Sequence, residues 1–331
     1  MRTGGRGRDV DFQALFDLLA PFFGLIAVGW AAGRFVPRPE GPAGFAWLQF
    51  YVIYVALPCL FFRLVSDKPL GEVMNGRFVA GTTLATGLAF ALSLAIGLRA
   101  SRGALAEATL QGMAGSYANI GYMGPPLVLG ALGPASGAPV ALVFVFDSLF
   151  LFTLVPLLMA LSGHERRSLA AALGTVLVRV ATHPFNLAAA AGVVWGALQW
   201  RLPIVLDRIS GSLAQTAAPT ALFMLGLTVA LRPARLPPPE VAALVTVKLL
   251  VHPLIALGLL TLVGGLPPVW IAAGVLMAAL PPALNIFVVS SQYGLGTERA
   301  SACLLAGTLA SILTLTAFVW AVKGGWLVAG L

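Results

Sequence analysis

The chain is short of charge. Only 10% of its 331 residues are Asp, Glu, Lys or Arg, while 59% are hydrophobic and the mean hydropathy is +0.94. A soluble domain carries about 25% charged residues. No water-soluble fold of this length can hide so much apolar surface, so the solvent is lipid and the lipid bilayer is the first partner. Cysteine is nearly absent: Cys59 and Cys303 both lie in apolar runs, which excludes a disulfide framework and a thiolate metal site. Three histidines and no dense acidic cluster leave no metal or cofactor to expect. Only three of the 20 basic residues are lysines (Lys68, Lys248 and Lys323), and nearly all 20 lie between apolar runs, facing anionic headgroups. No basic face on a soluble domain exists, so nucleic acid is excluded as a partner. An enzyme is not expected either. His164-Glu165 lacks the second histidine of a zinc protease, and no Ser-His-Asp set or paired intramembrane acids occur.

What the chain does have is long apolar runs. Ten reach the roughly 20 residues that a helical span needs: 12–33, 44–65, 78–98, 104–131, 138–161, 170–199, 208–231, 241–263, 267–293 and 299–321. They are continuously apolar rather than alternating, which favours helices over barrel strands. The start, MRTGGRGRDVDF, is basic like a signal peptide, but the run after it carries Asp17 and has no small-residue cleavage site. It reads as an N-terminal tail (1–11) and a retained first span. Trp30, Trp47, Trp200, Trp270 and Trp320 lie near span ends and read as interface anchors.

Two halves repeat. PFFGLIAVG at Pro21–Gly29 and PFNLAAAAG at Pro184–Gly192 share their spacing at an offset of 163, and ALPCLFF around Pro58 resembles AAPTALF around Pro219 at 161. Residues 12–163 and 164–331 therefore read as two five-helix repeats. Five is odd, so the second enters the membrane inverted, as in many secondary transporters. Without Arg2, Arg6 and Arg8 of the tail, the basic residues favour the face opposite the termini as cytoplasmic, which places both termini outside.

Two spans contain poor helix formers near their middle: GSYANIGYMGPP at 115–126 and ALPPALNIF at 279–287. They match at the repeat offset. A break in hydrocarbon survives only when buried in protein or lining a cavity. Pro125 and Pro126, and likewise Pro281 and Pro282, suit the first turn of a new half-helix. Each half-helix N-terminus would bring free N–H donors and partial positive charge towards a shared anion site. Asn119 and Asn285 flank the breaks with amides that donate and accept, with Ser116 and Tyr122 as secondary candidates. Asp147 and Lys248 lie within spans five and eight, either as a structural ion pair or as charge and coupling residues. His183 and His252 each precede a proline and read as interior histidines. Gln292 reads as a weak candidate.

Together, YVALPCLFF, GSYANIGYMGPPLV, VKLLVHPLI and LPPALNIFVVSSQYG resemble the auxin efflux carrier family, over nearly the whole chain. That family includes plant auxin exporters and bacterial carriers proposed for malonate or malate. The long cytoplasmic loop of many plant members is missing; only SGHERRSLA joins spans five and six. The resemblance implies an all-α membrane protein of ten helices like bile-acid symporters and sodium/proton antiporters, with broken helices four and nine crossing. It implies a scaffold of spans one, two, six and seven and a moving unit of three to five and eight to ten. The family's crossover residues fall on Asn119, Gly121, Pro125, Pro126, Pro281, Pro282 and Asn285. A small organic anion is the implied substrate, moved by elevator-type transport in a bacterial inner membrane, with export the expected direction and room for a homodimer. The crossover stretches hold no Asp or Glu, which speaks against a sodium site and for uniport or proton linkage. A channel or receptor on the same fold is the competing reading.

Overall fold

The computed structural model describes residues 12–36, 42–66, 75–164, 181–231 and 238–328, with Gly174 and Val178. The expected tail, the first turns of the expected sixth span and most of the charged connections lie outside the described residues. Among the described residues every multi-residue element is helical. Lipid offers backbone groups no hydrogen bonds, and an apolar helix satisfies them within itself.

Among the described residues seven stretches are long and apolar enough to cross a membrane. They are α1 (Phe12–Phe35), the rod of α2 (Pro42–Tyr51) and α3 (Leu57–Ser66), α4 (Gly76–Ala100) and α7 (Gly137–Leu161), followed by α9 (Ile204–Ala230), the rod of α10 (Pro239–Thr246) and α11 (His252–Val263), and α14 (Thr297–Lys323). The expected fourth and ninth spans are broken where the sequence places its glycines and prolines. The fourth divides into α5 (Leu105–Ala114) and α6 (Gly124–Leu132), the ninth into α12 (Pro268–Ala279) and α13 (Asn285–Tyr293). Of the sixth, α8 (Pro184–Ala197) is described.

Local sequence explains several of these boundaries. The Asn75 side chain accepts from the Phe78 N–H and caps α4. Within the two rods, π-turns at Val52–Ala56 and Val247–Val251 come just before Pro58 and Pro253. A proline lacks the N–H that its i−4 carbonyl expects. The π-turn loosens the helix one residue earlier, with the Leu57 N–H bonding Val52 and the His252 N–H bonding Val247.

The helices pack in two groups. In the first, α1 lies along α9, and α3 lies against α8 and α9. The approach is closest at glycines. A Cβ on Gly29 would overlap the carbonyl oxygen of Phe223, and one on Gly192 would stand 2.6 Å from that of Phe62. Gly29 and Gly192 are 163 residues apart, Phe62 and Phe223 are 161 apart, so one helix contact occurs twice at the offset of the sequence repeat. In the second group α4 packs on α5, α7 and α11, and α12 on α11 and α14. Arg299 at the start of α14 ties two of this group's helix ends together, bonding Glu107 at 2.8 Å and Glu240 at 2.7 Å.

Of the expected interface anchors, Trp30, Trp47, Trp200 and Trp320 are exposed. Trp270 is not: it is buried edge-on against Phe78, with ring centroids 5.0 Å apart. Its place at a helix start hid the neighbouring α4 from a reading of position alone.

Candidate functional site

The two breaks meet. Ala118 and Pro282 form an antiparallel bridge. The Asn119 N–H donates to the Pro281 carbonyl at 2.8 Å, and the Ala283 N–H donates to the Tyr117 carbonyl at 3.1 Å. Each break thus satisfies backbone groups that the other leaves without helical partners.

The half-helix starts differ from expectation in two ways. Pro125 and Pro126 occupy the first turn of α6 as expected. Pro281 and Pro282 do not open α13, which begins at Asn285. They form the extended segment instead, because the Pro281 carbonyl and the Ala283 N–H are engaged across the bridge. Gly307 on α14 leaves room for the Pro282 ring there, where a Cβ would overlap it. The second difference concerns donors. The Asn119 carbonyl accepts from both Met123 and Gly124 at 3.2 Å, and the two prolines have no N–H, so α6 presents no free donor in its first turn. At α13 the N–H groups of Leu284 and Asn285 make no hydrogen bond among the described residues. The expected pair of donor-bearing helix ends is therefore one.

Two cavities adjoin this crossing. The smaller, about 20 Å³, is lined by Asn119, Gly121, Tyr122 and Asn285 among others. The larger, about 300 Å³, extends from Asn285 and Tyr117 between the two helix groups, reaching Gln49 on α2 and His183 and Phe185 at the start of α8. Tyr117, Phe144, Phe185 and Asn285 line both. No charged side chain lines either among the described residues. Asn119 is buried and its Nδ2 has no hydrogen-bond partner among the described residues, while Asn285 Nδ2 lies 3.4 Å from Tyr117 Oη. An unpaired buried amide costs about 1–3 kcal/mol of desolvation, which a ligand acceptor would recover.

The structure thus brings Asn119, Gly121, Tyr122 and Asn285 to one place. Ser116 stays apart: its Oγ donates back to the Gly112 carbonyl at 2.9 Å, and it lines neither cavity. The four prolines shape the crossing and also line neither. Gln292 and His183 line the larger cavity, and His183 Nδ1 is buried without a partner among the described residues, so the interior hydrogen bond expected of it is not seen at that nitrogen. Tyr117, within GSYANIGYMGPP, was missed; its place inside the first break, two residues before Asn119, was the available signal. Phe144 and Phe185 gave none, being indistinguishable from lipid-facing residues in apolar runs.

Asp147 and Lys248 make no direct ion pair. Thr86 Oγ1 donates to Asp147 Oδ2 at 2.8 Å and lies 3.2 Å from His252 Nε2. Lys248 Nζ lies 3.3 Å from His252 Nδ1 and donates to the Ala278 carbonyl at 2.5 Å. Ala278 is in the last turn of α12, where carbonyls lose their helical partners and the helix dipole is negative. A lysine there both caps the break and stabilises the dipole. Thr86 gave no sign in the sequence.

The chain is similar to known membrane transport proteins. Residues 14–319 match the family model described as membrane transport protein. A Rhizobium meliloti protein named "Putative malonate transporter" is 44% identical over 314 residues, covering 95% of this chain and 98% of its own. An uncharacterized transporter of Methanothermobacter thermautotrophicus is 27% identical over 280 residues, covering 83% of this chain and 87% of its own.

Proposed function

The chain belongs to the membrane transport protein family that includes the auxin efflux carriers, and from that premise we propose that it carries a small carboxylate across the membrane by an elevator motion. It is a multi-pass membrane protein. In this reading the fold is ten helices in two inverted repeats, an arrangement supported by the recurrence of the Gly29–Phe223 contact as Gly192–Phe62. The scaffold consists of spans one, two, six and seven. Spans three to five and eight to ten move against it, in line with the two packing groups. A bacterial inner membrane with both termini outside, and outward net movement, complete the reading.

The carboxylate sits where the Asn119 and Asn285 amides converge near the free N–H groups of Leu284 and Asn285. Dipoles without a full positive charge hold an anion firmly enough to select it and loosely enough to release it. The larger cavity, walled by both helix groups, gives the substrate room at the sliding boundary. The observation that carries the proposal is the unpaired, buried Asn119 amide nitrogen at the crossing. The malonate name of the Rhizobium meliloti relative makes small carboxylates the first set to try.

The test is a thermal-shift screen of malonate, malate, indole-3-acetate and acetate on the purified protein, followed by flux into proteoliposomes. A carboxylate that raises the melting temperature and a flux that saturates with its concentration are expected. Flux that never saturates, or binding without movement, would replace the carrier with a channel or a receptor.

A further inference from the structure

Asp147 and Lys248 are the only buried charged side chains among the described residues. Between them runs a continuous hydrogen-bonded chain: Lys248 Nζ to His252 Nδ1 at 3.3 Å, His252 Nε2 to Thr86 Oγ1 at 3.2 Å, and Thr86 Oγ1 to Asp147 Oδ2 at 2.8 Å. The donor directions agree with one arrangement. Lys248 can only donate, so His252 Nδ1 accepts; the neutral ring then carries its proton on Nε2 and donates to Thr86, which gives its own to Asp147. Thr86 and His252 are both buried. One end of the chain holds the Ala278 carbonyl beside the second break. At the other end, Asp147 Oδ1 has no partner among the described residues and the next residue, Ser148, lines the larger cavity. The further titratable group beside the chain is Tyr117, from the first break, which lines the larger cavity together with Ser148. α4 contributes Thr86 and α12 a backbone carbonyl.

Resting on the carrier reading above, we infer that this chain stores the coupling proton of the transport cycle, so that one proton accompanies each singly charged anion. The electroneutral pair follows the sum of the anion and pH gradients, and moves outward where the internal anion gradient exceeds the pH gradient. The reason is a charge count on the moving unit. With Asp147 ionised and Lys248 protonated, the empty unit holds no net buried charge. An anion alone would make it −1, and a proton alone, on Asp147, would make it +1. Anion and proton together restore zero. Net charge at membrane depth is costly, so only the empty and the doubly loaded unit cross readily. The relay joins the two charges. When Lys248 gives a proton to His252 Nδ1, His252 Nε2 gives one to Thr86, and Thr86 gives one to Asp147 Oδ2. One N–H or O–H bond forms for each that breaks, and the ion pair becomes a neutral acid and amine of the same total charge.

The test uses the full chain in proteoliposomes with [14C]indole-3-acetate or [14C]acetate, singly charged at neutral pH, or with malonate or malate as the monoanion at mildly acidic pH, and two assays. Counterflow measures exchange of substrate for substrate and needs no return of the empty unit. Net uptake driven by an imposed pH gradient, with the membrane potential clamped, needs the proton step. In Thr86→Val and His252→Gln, counterflow should stay within two-fold of the parent while gradient-driven uptake falls at least ten-fold. The His252→Gln amide can replace both hydrogen bonds but passes no proton, so it decides the matter even if Thr86→Val does not fold. Loss of both activities together, or of neither, overturns the relay. A parent protein without counterflow for any of these carboxylates overturns the carrier reading itself, and the relay with it.

Discussion

Truncating Asn119 to alanine separates binding from folding in an unusual way. The backbone of residue 119 is heavily used: its N–H bonds Pro281, and its carbonyl accepts from Met123 and Gly124. Alanine keeps all three bonds. The side-chain nitrogen, by contrast, is buried and unpaired, so deleting it breaks no hydrogen bond and relieves a desolvated donor. The truncation also enlarges a neighbouring cavity of only about 20 Å³, and small added voids cost little. Stability should therefore stay within about 1 kcal/mol of the parent. A hydrogen bond to a charged ligand is worth about 1.5–3 kcal/mol, which is roughly a ten- to 150-fold rise in Kd. The two numbers are read on the same preparation, the melting temperature without ligand and the Kd of the best carboxylate by calorimetry. A variant that melts well below the parent while binding as tightly would refute the reasoning, because Asn119 would then be a brace of the crossing and not a ligand.

Two further outcomes follow from the packing and the buried charges. Gly192→Val should lower the melting temperature, since a Cβ there stands 2.6 Å from the Phe62 carbonyl and 2.7 Å from Val65 Cγ2, and overpacking of this kind costs about 1–3 kcal/mol. Gly24→Ala, with nothing within 4 Å of the added carbon, should melt with the parent in the same differential scanning run. Lys248→Met should be strongly destabilising, on the order of 3–5 kcal/mol, because it leaves the Ala278 carbonyl uncapped and Asp147 alone in the interior. Adding Asp147→Asn should recover part of that loss. A double variant no more stable than Lys248→Met would show that the two charges do not compensate each other.

Hydropathy and breaker residues made the outline of this molecule legible. Lipid leaves an apolar run of about 20 residues no alternative to a helix, so α1, α4, α7, α9 and α14 follow from length and composition. The breaks at 115–123 and 280–284 follow from Gly and Pro, which act on their own backbone and need no neighbour to be read. The repeated Pro-Phe-to-Gly spacing was equally visible, and Asn119 and Asn285 were placed beside the breaks by sequence proximity alone. Tertiary structure decided everything that depends on which helices touch. Pro281 and Pro282 turned out extended, because the partner for the Pro281 carbonyl is Asn119, more than 160 positions away. Among the described residues only the second break keeps free N–H groups, because the Asn119 carbonyl turned inward to the first and Pro125 and Pro126 have none to offer. Thr86, Asp147 and His252 come from three different spans, and no local pattern announces that one hydroxyl will sit between a carboxylate and an imidazole. A single chain fixes its helices through solvent and local geometry. Cavities and relays belong to the surfaces between helices, and those exist only once the helices have packed.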